Sequence, residues 1–420
     1  MSAEEQTLIE KLFGLMPPTA VAAVEAAVTV ADELRLTVYV VGGPVRDVLL
    51  GRTTVVDADL VVEGDALVVA DALAARLGIR PVRHPRFGTA TIKPGGFVLD
   101  IVTARAETYA APGALPTVSE STIDDDLRRR DFSINAMAIA LNGVGKGQLL
   151  DPLGGERDLR AGVVRALHAG SFEDDATRIF RATRYEARFG FRIERDTAAW
   201  IRRDVRYLDT ISGARIHQEL ARTLAEKNPE RALLRLDELG VLKAIHSALK
   251  FDSKRVQAFE VARTLDRKSA RSAFWPLLAW NAKRTDIDAL AKRLALRKLQ
   301  AAAVSAVPPV RAVESMIGDE EMSDSAIVEL LSPYPASTLL ALASATESEA
   351  VRDSVVRYLR RLRRVKPALD GNDLLAMGAK EGPLIGDVLA RIRVAKLDGE
   401  VSSRAEEEAL AKRLLLELSR

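Results

Sequence analysis

The sequence predicts an α+β protein: a head over residues 1–150 built on a small mixed sheet with helices on it, followed by an all-helical remainder. Three observations predict it. Short apolar runs at 36–41, 55–62, 89–93, 97–102 and 136–141 read as strands, and all precede residue 151. Alanine- and valine-rich segments at 19–35 and 66–77 read as helices among them. Beyond the turn Asp151-Pro152-Leu153-Gly154-Gly155, residues 178–189, 214–226, 229–239 and 256–265 carry apolar side chains at three- and four-residue spacing. Between head strands, residues 107–122 shift to Pro, Gly, Ser and Thr, which predicts a mobile loop. Breaks near Lys366-Pro367 and Asp370-Gly371 mark a last helical segment.

Composition narrows the class. The 420 residues are 48% hydrophobic and 29% charged, which suits a globular chain of two to four domains. A net charge of +2 says little about partners, so local runs matter more, notably Arg128 to Arg130 and Arg360-Arg361-Leu362-Arg363-Arg364. The absence of cysteine excludes disulfides and cysteine-ligated zinc. The polar, acidic start predicts no signal peptide, and no apolar run nears the roughly 20 residues that cross a bilayer. No membrane partner is expected, and the expected location is cytoplasmic.

The most informative residues are Asp57 and Asp59, one residue apart in an apolar run. On a strand, i and i+2 share a face, and two carboxylates there repel unless a cation intervenes. Magnesium, with its preference for carboxylate and phosphate oxygens, resolves the conflict. Gly42 and Gly43 precede the pair and suit a backbone that approaches phosphate, with Arg46 adding a charged fork. Asp100, inside Val98-Leu99-Asp100-Ile101-Val102, is the candidate third carboxylate. Three aspartates would hold two Mg²⁺ ions, one at an attacking 3′-hydroxyl and one at the triphosphate.

Two further clusters follow. In Arg128-Arg129-Arg130-Asp131, Asp131 can accept from a ribose hydroxyl and the arginines can hold phosphate. In Glu173-Asp174-Asp175-Ala176-Thr177-Arg178, the ordinary explanation is an acidic helix start with an Asp175–Arg178 ion pair. The sharper one sets an acceptor beside a donor fork. That matches the Watson–Crick edges of cytosine and adenine, and rejects uracil and guanine, whose edges run in the opposite order.

Gly-Gly-x-Val-Arg-Asp, Asp-x-Asp, Arg-Arg-Asp-Phe-Ser-Ile-Asn-Ala, Asp-Pro-Leu-Gly-Gly and Asp-Asp-x-x-Arg occur in one order across residues 38–191. Together they resemble the class II tRNA nucleotidyltransferase (CCA-adding enzyme) and poly(A) polymerase family, within the polymerase-β-like nucleotidyltransferase superfamily. Residues 370–386 resemble that family's tail. The resemblance implies a head (1–150), a neck (151–225), an RNA-binding body (226–366) that grips the upper half of a tRNA, and a tail (367–420), in a monomer or homodimer. It implies that Asp57, Asp59 and Asp100 are catalytic metal ligands. Gly42, Gly43 and Arg46 would meet the triphosphate, and Arg130 and Asp131 the ribose. Asp175 and Arg178 would read the base with Asp174 beside them, and Arg181 and Arg184 would contact phosphate. The substrates implied are CTP, ATP and tRNA, with pyrophosphate released.

The sequence departs from the family where Asp174 replaces the usual glutamate, with Glu173 as an alternative register. No His-Asp dyad occurs, so the phosphohydrolase domain of some relatives finds no counterpart. The Val-Val-Glu-Gly-Asp and His84-Pro85-Arg86-Phe87-Gly88-Thr89 stretches resemble a bacterial branch that includes enzymes adding only part of the CCA end. CC-only, A-only and poly(A) products are therefore the alternatives. An RNA-binding protein with an inactive head would lack one of the three aspartates, and all three are present.

Overall fold

In the computed structural model, which describes residues 7–317 and 322–418, the chain divides into two units after Ala244. The first unit is organised by nine strands: β1 (Thr37–Val41), β2 (Asp57–Glu63), β3 (Val82–His84), β4 (Thr89–Ile92), β5 (Val98–Thr103), β6 (Arg105–Thr108), β7 (Thr117–Glu120), β8 (Ala138–Ala140) and β9 (Leu149–Leu150). Seven form one sheet in the order β3-β4-β5-β2-β1-β8-β9. Only the β2–β5 pair is parallel; its register sets Asp57 against Val98 and Asp59 against Asp100. On the other side of β2, Asp59 faces Val41 at the end of β1. The mixed sheet expected from the sequence is thus present, and β2 starts at Asp57, so the informative aspartates open the strand.

Each face of the sheet is covered differently. The helices are α1 (Leu8–Gly14), α2 (Pro18–Glu33), α3 (Gly43–Leu49), α4 (Ala66–Leu77) and α5 (Ile123–Arg128). Alternation sends Val38, Val40, Leu60 and Val62 to one face, where they are fully buried. The opposite face carries Tyr39, Val41, Val61, Ala138 and Ala140, which pack with Ile123 and Leu127 of α5. Burying each such valine or leucine contributes about 1.5–3 kcal/mol. Asp57 and Asp59 continue this second face at the end of β2, beyond Val61.

One expectation is corrected here. Residues 107–122 are not an irregular loop throughout. Thr117–Glu120 pairs with Arg105–Thr108 as an antiparallel ribbon, because β-branched Thr117 and Val118 suit a strand. Only the Tyr109–Pro116 tip is irregular, and there Gly113 N–H donates to the Glu173 carbonyl at 3.3 Å.

The rest of the first unit is helical apart from the short parallel pair β10 (Val163–Val164) and β11 (Arg192–Ile193). Its helices are α6 (Gly155–Arg160), α7 (Ser171–Asp174), α8 (Thr177–Phe189), α9 (Arg195–Asp204), α10 (Gly213–Leu224) and α11 (Pro229–Glu238). The Asp151 carboxylate caps α6, accepting from Gly155 N–H at 2.6 Å and Glu156 N–H at 3.0 Å. Position 155 must be glycine, since a Cβ there would lie 2.2 Å from the Ser133 carbonyl.

The second unit is all-helical among the described residues. Its larger part includes helices Ser253–Leu265, Ala270–Leu278, Ala336–Ala345 and Glu349–Arg360, with Phe259 stacked on Phe274 at 4.2 Å. The C-terminal helices Gly371–Ala376, Pro383–Leu397 and Arg404–Leu418 bury Leu374, Val388, Ile392 and Leu414 together. Glu407, fully buried, accepts from Ala368 N–H at 2.6 Å and from Lys396 Nζ at 2.6 Å. No single helix among the described residues is long and apolar enough to cross a membrane.

Candidate active site

Gly42 ends β1 at φ 74°, where an L side chain is strained, and α3 begins directly after it. A Cβ at Gly42 would stand 3.0 Å from Arg130 Nη1, so the glycine also makes room for that guanidinium. Gly42 N–H donates to the Met137 carbonyl at 3.1 Å, which fixes the turn. The first turn of α3 faces a cleft of about 630 Å³. Gly42, Gly43, Arg46, Asp57, Asp59, Arg130, Asp131, Asp174, Asp175, Arg178 and Arg181 all line it. Eleven of the thirteen residues singled out in the sequence therefore meet in one place, drawn from stretches up to 139 positions apart.

Within the cleft, Asp57 and Asp59 share a face of β2, as the period of a strand requires. Burial, then the Asp100 and Asp47 charges, push the Asp57 carboxyl above the usual carboxylate range, against the pull of Arg46. Asp59 is pushed up as well, by burial first and by Asp100, Asp57 and Asp126, while Arg130 pulls it down. At this strand end carboxylate repulsion and burial outweigh the nearby arginines, an arrangement that suits a cation with hard oxygen ligands.

Asp100 departs from the expectation. It sits opposite Asp59 in the sheet, but it does not line the cleft, and its carboxylate accepts a hydrogen bond from Thr91 Oγ1 on β4. Among the described residues no three His, Cys, Asp or Glu side chains are grouped to hold a metal. The hydroxyl of the neighbouring strand gives the third carboxylate a partner, while its charge still bears on Asp57 and Asp59.

The arginines are held in place by carboxylates. Arg130 forks onto Asp126 (2.8 and 3.2 Å), and Arg129 bridges Asp126 (2.5 Å) and Glu107 (2.8 Å). Asp126 is fully buried; burial pushes its carboxyl up, but Arg130 and Arg129 outweigh that and hold it below the usual range. Arg46 donates to Asn135 Oδ1 at 2.6 Å, pairs with Asp47 at 3.0 Å, and lies 4.8 Å from the Phe189 ring centroid. Asp131 is buried. Its Oδ1 accepts from Asn135 Nδ2 at 3.0 Å and from Phe132 N–H at 2.9 Å, and its Oδ2 pairs with Arg181 at 2.5 Å. Burial raises the Asp131 carboxyl, yet Arg181 and Asn135 together bring it below the ordinary range, and Arg181 is raised in return, chiefly by Asp131.

Arg184 also lies apart from the other candidates. It is buried, pairs with Glu219 at 2.6 Å, and does not line the cleft. One turn beyond Arg181, Arg184 reaches Glu219 of α10 and fastens the two helices.

The base-reading candidates lie at a break between two helices. Asp175 is extended (φ −146°, ψ 100°) between α7 and α8, not within a helix. The Asp175–Arg178 ion pair does not form among the described residues. Asp175 Oδ1 takes Thr177 N–H (2.9 Å), Thr177 Oγ1 (2.7 Å) and Arg215 Nη2 (2.8 Å), and its other oxygen accepts no hydrogen bond among the described residues. Arg178, buried at 6% exposure, donates from Nη1 to Ser171 Oγ (2.8 Å) and from Nη2 to the Arg129 carbonyl (2.9 Å). Of its five N–H donors three remain. Asp174 stands 3.5 Å from His168, whose imidazole is pushed down by burial, so this contact is weak near neutral pH.

Sequence reading missed several cleft residues. Arg215 joins Asp175 to the ribbon tip, with Nη1 at 3.4 Å from the Gly113 carbonyl. Asn135 ties Arg46 to Asp131, and Tyr109 donates to Glu107 at 2.8 Å. Asn135 stands in a motif already quoted, so that signal was present. Arg215 lies in an ordinary amphipathic helix with no local sign of its role.

Residues 38–165 match the family described as poly A polymerase head domain, and residues 190–252 match the probable RNA and SrmB-binding site of polymerase A. An A-adding tRNA nucleotidyltransferase of Geobacter sulfurreducens is 35% identical over 95% of this chain, which spans 47% of that relative's length. An A-adding enzyme of Halalkalibacterium halodurans is 34% identical, covering 90% of this chain and 88% of its own. A CC-adding enzyme of Deinococcus radiodurans is 33% identical over the same shares. Among solved structures, the Thermotoga maritima CCA-adding enzyme complexed with tRNA superposes at a TM-score of 0.82 (31% identity, 98% of this chain and 99% of that one). A CCA-adding enzyme with CTP gives 0.83 (31%, 99% of each), and one with ATP gives 0.83 (30%, 98% and 99%). At 34% identity to a relative whose length it spans to 88%, the chain belongs to the tRNA nucleotidyltransferase family.

Proposed function

We propose that this protein adds C and A to tRNA 3′ ends from CTP and ATP without a nucleic-acid template. The observation that carries the reading is the pairing, in one cleft, of a carboxylate-rich strand end with Asp175 and Arg178, each anchored yet each keeping free capacity. Asp175 offers an acceptor to the exocyclic amino group of C or A, and Arg178 offers a donor to the adjacent ring nitrogen. A uracil or guanine edge would leave both groups unpaired, a loss that rejects it.

In the reaction the primer 3′-hydroxyl gives up its proton to solvent, its oxygen bonds to the α-phosphorus, the α–β bridging bond breaks, and pyrophosphate leaves with that electron pair. Asp57 and Asp59 would hold Mg²⁺, with Asp100 joining them if its carboxylate turns from Thr91. When bound, Mg²⁺ supplies positive charge to the triphosphate and to the attacking oxygen. The Gly42–Gly43 turn lets the triphosphate approach the first turn of α3, where Arg46 holds it. Arg130 and Arg181, fixed by Asp126 and Asp131, face the ribose and phosphates.

A second reading, addition of the terminal A alone, is favoured by the A-adding relatives that align over nine-tenths or more of this chain. The test offers purified protein tRNAs ending at the discriminator base, at C and at CC, with CTP and ATP singly and together. Full addition predicts CCA from all three. Extension only of the CC-ending tRNA by ATP would select the second reading, and no extension of any tRNA would refute both.

A further inference from the structure

The run Arg360-Arg361-Leu362-Arg363-Arg364 in the second unit is not a uniform solvated face. Leu362 is buried, and Arg361 pairs with Asp324 at 2.7 Å, a carboxylate it shares with Arg357 at 3.3 Å. The other three arginines line a cavity of about 540 Å³ beside helices Ser253–Leu265 and Glu349–Arg360. Its apolar wall is Leu265, Leu340, Val356 and Leu359. Arg360 Nη2 donates to the Leu265 carbonyl at 2.8 Å, which pins that guanidinium at the end of its neighbour helix. Arg363 and Arg364 are exposed and make no ion pair among the described residues.

Asp266 and Ser269 complete the lining. The Asp266 carboxylate accepts from the N–H groups of Lys268 (3.0 Å) and Ser269 (3.1 Å), and hydrogen bonds from Ser269 hold it below the usual range. The cavity therefore combines a hydrophobic surface, one anchored guanidinium, two guanidinium groups without ion pairs among the described residues, and one fixed acceptor. Guanidinium forks match phosphate, and their planes also stack on bases. A volume of this size admits one nucleotide. An acidic peptide fits less well, because its carboxylates give the apolar wall no partner, whereas a nucleotide presents a base to the wall and phosphate to the guanidinium forks.

We propose that this cavity holds one unpaired nucleotide of the RNA substrate, its base against Leu340 and Leu359 and its phosphates on Arg363 and Arg364. The proposal rests on the reading that the chain acts on RNA, and it assigns a subsite remote in sequence from the catalytic cleft.

The test uses the full chain carrying Arg363→Gln and Arg364→Gln, both at exposed positions, with a thermal melt to show retained folding. The KM for tRNA should rise about fivefold or more, with kcat at saturating tRNA and the KM for CTP and ATP unchanged. The slope of log K against log salt for tRNA binding should flatten by about 1.4, near 0.7 per lost single-strand phosphate contact. In a second variant, Leu359 replaced by p-benzoylphenylalanine should crosslink to one unpaired nucleotide of the tRNA. An unchanged salt slope, crosslinks scattered over the duplex, or loss of the crosslink to free CTP, free ATP or polyglutamate would each overturn the proposal. If wild-type protein extended no tRNA, the proposed activity would fail by itself, while filter binding and crosslinking would still decide the cavity.

Discussion

Replacing Arg178 separates base reading from catalysis. The side chain has five N–H donors, of which two are engaged by Ser171 Oγ at 2.8 Å and the Arg129 carbonyl at 2.9 Å. A charged donor to a base edge is worth about 2 kcal/mol. Arg178→Ala should therefore lower kcat/KM for CTP and ATP roughly 30-fold. UTP and GTP never gained that bond, so they lose less, and the preference for CTP over UTP should shrink by a similar factor. The substitution also leaves a buried hydroxyl and carbonyl without their donor, at about 1–3 kcal/mol each. Arg178→Lys serves as the second variant: it keeps the charge but not the fork, and should regain stability more than selectivity. The assay is single-nucleotide incorporation on a CC-ending or C-ending tRNA with each of the four triphosphates, beside a thermal melt. An alanine variant that melts near wild type and keeps its CTP-to-UTP ratio would refute the role given to Arg178.

Other outcomes follow from the same geometry. Asp57→Ala and Asp59→Ala should each abolish incorporation while tRNA affinity, measured by filter binding, stays close to wild type; turnover in either variant would remove the metal assignment. Arg215→Ala takes one of three donors from Asp175 Oδ1 and releases the ribbon tip, so kcat/KM should fall about tenfold with weaker base selection. Unchanged selectivity in single-turnover assays would count against that link. Asp126→Asn removes the buried charge that Arg129 and Arg130 share, leaving Glu107 to Arg129 and no carboxylate to Arg130, costing about 3 kcal/mol or more, a fall in Tm of roughly 6–12 °C. Because the folded Asp126 carboxyl is held below its ordinary value of 3.8, its stabilisation is present above that pH and is lost as pH falls through the folded value. The gap between wild type and variant should accordingly be widest near neutrality and narrow below about pH 4; melts across pH 3–7 check it.

Local periodicity made the head legible from sequence. Two-residue alternation gave Asp57 and Asp59 a common face whatever the rest of the chain did, and glycine at 42 signalled a turn no other residue adopts easily. The apolar runs at 36–41 and 97–102 became β1 and β5 because their burial dictates strands on either side of β2. The ribbon at Arg105–Thr108 and Thr117–Glu120 escaped notice, since Pro and Gly at its tip masked short strands that only pairing reveals.

Charged side chains were the least legible, because the partner of a charge is set by packing between segments far apart. Asp126 and Glu107, not solvent, hold Arg129 and Arg130; Glu219 takes Arg184 out of the cleft; Asp324 takes Arg361 from its neighbours. Asp175 bonds to Arg215, 40 residues on, and not to Arg178, three residues on. The sequence by itself determined which residue types assemble a carboxylate pair, a phosphate turn and a base reader. The tertiary structure decided which of their atoms are engaged and which stay free, because a hydrogen bond depends on ångström-scale distances that residue spacing along the chain does not specify.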